Sequence, residues 1–568
     1  MAVAATVLLA ACTDNRPRIT GITPKFGSEG DIITISGEHF GEAGNWAYIT
    51  IAGDRPTASS YTLWRDDMIK LQIPRHEMAG LVYVFTDGKQ SNGVLFSDRD
   101  AIPQKPAAAG GKTGPMPVID AINPKTVSPG DLLTITGSGF GASRETSKIL
   151  FTWDLTGRPE RLDLPASPFE GGYERWGERE IRVYVPDGTG TGLLTVSATG
   201  QNDETEESAR PALPGSQIPI EVSRAKGKKT LGEGREYIVA FSTDVMVQEA
   251  AAPNALYLAI PRPTASASQQ ITRVLSKTPK PFTEDYRGTT LYKLTDMRPG
   301  ETMRVSVNYL VSVYTVETAV TQTALTQDTR LPVYKAYLGK TPLVPADHNE
   351  ITEKAAAIVG RERNPYLKAR LIYRSLLKDL AITDVGTDTG DDGGTHETAA
   401  LDKSNAASES PPESASGSAL HALRTQTADS YSASLLFSAL CRAAGIPAVP
   451  CAGVLVNTDR STVKHYWAAF WLDGVGWIPV DVAFGLGAAP DTWTLRPDYA
   501  SWYFGNIDNQ RIAFSFGETA LPPIDPKGRT VSRDRAYALQ NIWEEAVGGI
   551  ESYSSFWSDI TINGIYYH

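Results

Sequence analysis

The feature that most limits how this chain can fold is an internal repeat with a constant offset of one hundred residues. Pro17-Arg18-Ile19-Thr20-Gly21-Ile22-Thr23-Pro24 is answered by Pro117-Val118-Ile119-Asp120-Ala121-Ile122-Asn123-Pro124. The match continues from Gly30-Asp31, Thr34-Ile35-Ser36-Gly37 and Phe40-Gly41 to Gly130-Asp131, Thr134-Ile135-Thr136-Gly137 and Phe140-Gly141. Short alternating runs set between glycine-rich turns cannot build helices of useful length. They suit strands with one face in a core and one in water, so each copy reads as a β-sandwich.

The wording I-x-x-I-x-P, G-D-x-x-T-I-x-G and G-x-x-F-G resembles IPT/TIG domains, and the resemblance implies two immunoglobulin-like sandwiches, at 13–98 and 117–217. It is specific for the fold and carries little about function. Two spacers holding the C-terminal domain away from a membrane is the plainer reading, and an adhesive or ligand-binding role is the alternative. Residues 99–116, with an Ala-Ala-Ala-Gly-Gly run, read as a linker. Alternation returns in Tyr237-Ile238-Val239-Ala240-Phe241 and Met303-Arg304-Val305-Ser306-Val307, which marks 218–340 as a third β-domain with no visible chemistry.

With 568 residues, several domains are expected, and a 41 % apolar content is enough to give each a core. The net charge of −11, with no basic cluster, excludes general binding of nucleic acid. Seven histidines and three cysteines are scattered without metal-ligand spacing, so no metal and no cofactor are expected. The chain begins with a short apolar run ending Leu9-Ala10-Ala11-Cys12, which resembles a bacterial lipobox. That resemblance implies removal of the preceding peptide, acylation of Cys12, and a protein of the cell envelope held at the membrane by its lipid.

The chemistry is concentrated in 341–568. His348 to Gly360 and Asn364 to Leu380 predict two amphipathic helices, each with a cap at its start. Residues 386–418, rich in Gly, Ser, Asp and Glu, cannot bury enough surface to order, and the Asp388, Asp391 and Asp392 run lacks the spacing of a calcium loop. From Ser430, the apolar residues Leu435, Leu436, Phe437 and Leu440 predict a buried helix, which Gly445-Ile446-Pro447 ends. A nucleophile at the first residue of a helix faces unpaired N–H groups and the positive end of the dipole. Downstream, two aromatic-rich runs flank Asp473-Gly474-Val475-Gly476, a hairpin signal. A turn centred near Asp473 makes His465 and Asp481 cross-strand neighbours, the carboxylate fixing the imidazole tautomer.

This helix start, G-I-P-A, then H-x-W and G-W-x-P-V-D resembles a transglutaminase-like domain of the papain-like cysteine group over Leu423 to Asp481. The whole chain is therefore expected to be multidomain, with all-β immunoglobulin-like sandwiches followed by an α+β transglutaminase-like domain. The resemblance implies a triad in which Ser430 occupies the nucleophile position, with His465 and Asp481 behind it. The family's helix begins G-D-C, and this chain has Ala428-Asp429-Ser430. Sulfur ionises near neutral pH, whereas a hydroxyl needs a base in the transition state. Two readings stay open: a degenerate domain that binds a peptide or protein segment, and an acyl-transfer enzyme of peptidase or amidase type using Ser430, His465 and Asp481. Gln426 is a candidate oxyanion group, and Trp467 and Trp477 are candidate cleft walls. Cys441 lies too far along the helix to replace Ser430; with Cys451 it forms either a disulfide or a pair of buried thiols.

Overall fold

The computed structural model describes residues 15–98, 117–197, 216–382 and 418–567, apart from positions 25, 28–30, 45, 52–54, 74–79, 145–146, 157–161, 322–325, 492 and 534. Cys12, the linker at 99–116 and the acidic insertion, except Ser418, lie outside the described residues. The chain divides between Gly110 and Gly111 into two compact units.

The first unit is a β-sandwich. One sheet runs Arg18–Thr23, Ile32–Glu38, Met68–Gln72, Tyr61–Trp64, and the facing sheet Phe26–Gly27, Val94–Asp98, Gly80–Thr86, Tyr48–Ile51. Alternate residues of both, among them Ile33, Ile35, Ile49, Ile69, Leu71, Val82 and Val84, form its core. The second repeat begins the second unit with the same strand order, Val118–Asn123, Leu132–Ser138, Glu180–Tyr184, Tyr173–Trp176.

The repeated glycine of G-x-x-F-G has a steric cause. A Cβ on Gly37 would lie 2.1 Å from the Arg18 carbonyl oxygen and 2.2 Å from Cζ of Phe40; on Gly137 it would lie 2.0 Å from the Val118 carbonyl and 2.6 Å from Cζ of Phe140. The Phe140 carbonyl in turn accepts from Trp176 Nε1 at 2.9 Å, which pins the ring in place. Gly137→Ala is expected to cost about 3 kcal/mol, the upper end for forced overpacking. A urea denaturation midpoint unchanged by the substitution would show that the strand yields freely.

The second sandwich is not a detached spacer, as the sequence suggested. Its Ile135, Phe151 and Trp153 share one apolar core with Val449, Trp467, Trp471 and Trp477 of the C-terminal sheet. The large indoles that read as cleft aromatics are covered by this module, because their alternation points them off the sheet face that it meets.

The third β-domain is built on β1 (Gly227–Pro261), a strand of 35 residues, paired antiparallel with β2 (Thr302–Val320) along its first part and with Thr289–Thr295 along its last. The helical region follows, with α1 (Asn349–Val359) and α2 (Pro365–Asp379), capped by His348 and Asn364. After α3 (Ala419–Thr425) come α4 (Ser430–Ala443), β3 (Ala448–Val456), β4 (Thr462–Leu472), β5 (Gly476–Val480), α5 (Val482–Gly485) and β6 (Arg511–Phe516). The four strands form an antiparallel sheet in the order β5-β4-β3-β6. The last strands, β7 (Glu544–Trp557) and β8 (Thr561–Tyr567), return to pair with β1. Gln217–Val222, expected to open the third β-domain, instead pairs with Gly192–Ser197 and Thr126–Val127 of the second sandwich, so the third β-domain begins with β1 and is completed by the end of the chain, a long-range pairing that a linear reading does not reveal.

Helix α4 packs on one face of β4. Tyr431 meets Tyr466 at 4.9 Å between ring centroids, and Phe437 meets Phe470 at 6.2 Å. Cys441 lies in this core, whereas Cys451 projects from the other face into the core shared with the second sandwich. Both are free thiols. The disulfide reading is corrected: alternation along β3 puts Cys451 on the side of the sheet away from α4.

Candidate functional site

The hairpin joining β4 and β5 pairs Leu472 with Gly476 and Ala468 with Val480. Its loop is Asp473-Gly474-Val475, with positive φ at Gly474 (79°) and Gly476 (98°), conformations that favour glycine. This three-residue loop shifts the register by two from a turn centred on Asp473. His465 lies opposite Gly453 of β3, and Asp481 is the first residue beyond β5. The two are diagonal rather than directly opposed, which still leaves them on one face.

They meet there. The Asp481 Oδ2 carboxylate oxygen lies 2.7 Å from His465 Nε2 and accepts from Arg511 Nη1 at 2.6 Å, while Oδ1 accepts from the Phe484 N–H at 3.0 Å, capping α5. Burial pushes the Asp481 carboxyl up, but His465, by charge and hydrogen bond, and then Arg511 outweigh it and hold it at about 2. An ionised carboxylate only accepts, so it is His465 Nε2 that carries a hydrogen in this bond. Among the described residues Nδ1 has no hydrogen-bond partner. The imidazole is buried between Phe484, at 4.9 Å, and Trp467, stacked at 6.3 Å.

Arg511 was not picked out from the sequence. It is a fully buried guanidinium bound on its other side to Asp508 Oδ2 at 2.6 Å, and it lies over the rings of Phe484, Trp467 and Tyr503. A lone arginine heading the apolar strand Arg511-Ile512-Ala513-Phe514 was the available signal.

Ser430 is the first residue of α4, as expected. Asp429 caps the helix in a reciprocal box: Oδ1 accepts from the Ser432 N–H at 2.7 Å, and Ser432 Oγ accepts from the Asp429 N–H at 3.1 Å. Asp429 also pairs with Arg535 at 3.2 Å. Ser430 is half-buried, and among the described residues its hydroxyl makes no hydrogen bond, to His465 or to any other group. His465 and Asp481 are brought together; Ser430 is not bonded to them. Gln426 ends α3 in a left-handed conformation, exposed, its carbonyl accepting from the Ala381 N–H at 2.9 Å. Trp467 and Trp477 are buried and line a cavity on the His465 side of the sheet. No group of His, Cys, Asp and Glu among the described residues could hold a metal ion.

Residues 352–482 match the model of the transglutaminase-like superfamily, and residues 17–97 and 117–154 match that of the IPT/TIG domain. No curated protein sequence matches the chain. Among solved structures, a protein of Cytophaga hutchinsonii put forward as a cysteine protease aligns at 14% identity over 60% of this chain and 92% of its own, with a TM-score of 0.34. One of Parabacteroides distasonis put forward as a protease aligns at 10% identity over 65% of this chain and 69% of its own, with a TM-score of 0.17. Scores this low do not establish a common overall arrangement. The chain is a multidomain protein in which IPT/TIG β-sandwich modules precede a transglutaminase-like domain.

Proposed function

We propose that this protein is a cell-envelope lipoprotein, anchored through Cys12, whose transglutaminase-like domain is non-catalytic and holds a peptide or protein segment. The observation that carries the reading is at the start of α4. Ser430, which the resemblance sets at the family's thiol position, has no hydrogen bond to the imidazole that would have to deprotonate it, while His465 and Asp481 are joined. Without a base in contact, an alcohol near its ordinary acidity is not a nucleophile at neutral pH. The surviving dyad is then a structural link between β4, α5 and β6.

The second reading, an acyl-transfer enzyme using Ser430, His465 and Asp481, is favoured by the ring orientation, which leaves His465 Nδ1 unpaired as a base would need. A fluorophosphonate probe on the purified chain separates the two. The expected result is no labelling; labelling that disappears in Ser430→Ala would replace the binding reading with the enzyme. The anchor is tested by labelled fatty-acid incorporation into the chain expressed in a bacterium, which Cys12→Ala should remove.

A further inference from the structure

Helix α2 turns Ala369, Ile372, Tyr373 and Leu376 into the core of its domain. Successive residues advance by about 100° around a helix, so Arg370, Arg374 and Lys378, together with Leu367 and Leu371, fall within one arc of about 100° on the side away from that core. Arg374, Lys378 and Leu371 are exposed, and Arg370 is half-buried over the Tyr366 ring, 5.6 Å from its centroid. None of the three cations forms an ion pair among the described residues. The neighbouring carboxylates are committed elsewhere: Asp379 to Lys354 at 2.8 Å and Ser375 at 3.1 Å, and Glu362 to the N–H groups of Arg363 and Asn364, both at 2.8 Å. This is an unpaired basic face on a chain whose net charge is −11.

We infer that the acidic insertion of this same chain, residues 386–417, docks by charge on that face of α2. Composition is the first argument. The insertion carries seven acidic residues against the single Lys403, a net charge of −6. Position is the second argument. The helix ends at Asp379, and Ala381-Ile382, held by pairing with Thr427-Ala428, leads directly towards the insertion. The six residues from Ile382 to Asp388 reach up to about 20 Å when extended, whereas Arg370 to Lys378 spans about 12 Å, so Asp388, Asp391 and Asp392 can lie along the whole face.

The third argument selects the occupant. One exposed ion pair contributes little, but a tethered segment meets the face at a high effective concentration, and several pairs then act together. A free anionic partner loses translational freedom on binding, which a segment already attached to the helix does not. The docking is independent of any chemistry at Ser430.

The test is an electron-spin distance measurement on the full chain, labelled at Leu371→Cys and Gly393→Cys. The chain also carries Cys12→Ala, and Cys441 and Cys451 are buried, so only the two introduced thiols are accessible. A short, narrow distance is expected in 10 mM salt. It should lengthen and broaden in 1 M salt, where the screening length drops from about 30 Å to about 3 Å. Replacing all three cations, by Arg370→Glu, Arg374→Glu and Lys378→Glu, should remove the short distance in low salt. Adding Asp388→Lys, Asp391→Lys and Asp392→Lys to that variant should restore it. A distribution identical at the two salt concentrations, or one that the compensating substitutions do not restore, would overturn the inference. So would a short distance that vanishes on dilution with unlabelled chain, which gives the face to a second copy. A long distance in low salt, with phosphatidylglycerol vesicles bound through the same three side chains, would overturn it in favour of a lipid surface.

Discussion

Arg511→Ala is expected to destabilise the second unit by roughly 3–5 kcal/mol, because it strips a buried carboxylate of its counter-ion. Asp481 is wholly inaccessible to water, and Arg511 is the only permanently charged group bonded to it among the described residues. In the natural chain the Asp481 carboxyl, ordinarily near 3.8, sits at about 2. Its folded-state value is depressed, so its contribution to stability is present above about pH 4 and is lost as the pH falls towards 2. Without Arg511 the folded-state value rises, and the acid-side loss should begin at higher pH. Arg511→Lys should recover part of the loss, since one ammonium cannot bridge both Asp481 and Asp508 as the planar fork does. Urea titrations from pH 3 to 7 check both statements; an alanine variant as stable as the natural chain would mean that Asp481 does not depend on Arg511.

The second large effect concerns Glu170 and has the opposite sign in pH. Burial, with Asp187 adding to it and Ser167 and Lys229 opposing it, pushes the carboxyl from 4.5 up to about 8. Tyr337 is the other titratable group coupled to it. The folded chain keeps a proton that the unfolded chain releases, so stability falls as the pH rises from about 4.5 through about 8, by on the order of 3–5 kcal/mol in all. Glu170→Gln keeps the shape and cannot ionise. Its stability relative to the natural chain should therefore climb across that window and level off above it. A difference between the two chains that stays constant from pH 5 to pH 9 would show that Glu170 ionises normally.

Local patterns carried much of the architecture. The hundred-residue repeat announced two sandwiches because alternation and glycine turns are properties of neighbouring residues. The helix starts at His348 and Asn364 were legible because capping acts within one turn, and the helix from Ser430 because its apolar spacing is local. His465 and Asp481 could be paired from a turn motif. Their register was misjudged by two residues because loop length depends on φ at Gly474 and Gly476, which the amino-acid types permit without dictating.

What joins distant segments was decided only in three dimensions. Arg511 reaches Asp481 across 30 positions, β8 reaches β1 across the whole C-terminal region, and Glu170, Asp187 and Lys229 come from different strands and loops to one cavity. Each residue type is compatible with a solvated surface when read alone. Burial removes water as the competing partner, and only the packing of the second sandwich and the third β-domain against one sheet determines which side chains lose it. The sequence by itself thus determined the modules and the two residues of the dyad. The tertiary structure decided which carboxylates are charged, which thiols stay apart, and that the indoles at 467 and 477 face a neighbouring domain, because these depend on contacts that no local pattern encodes.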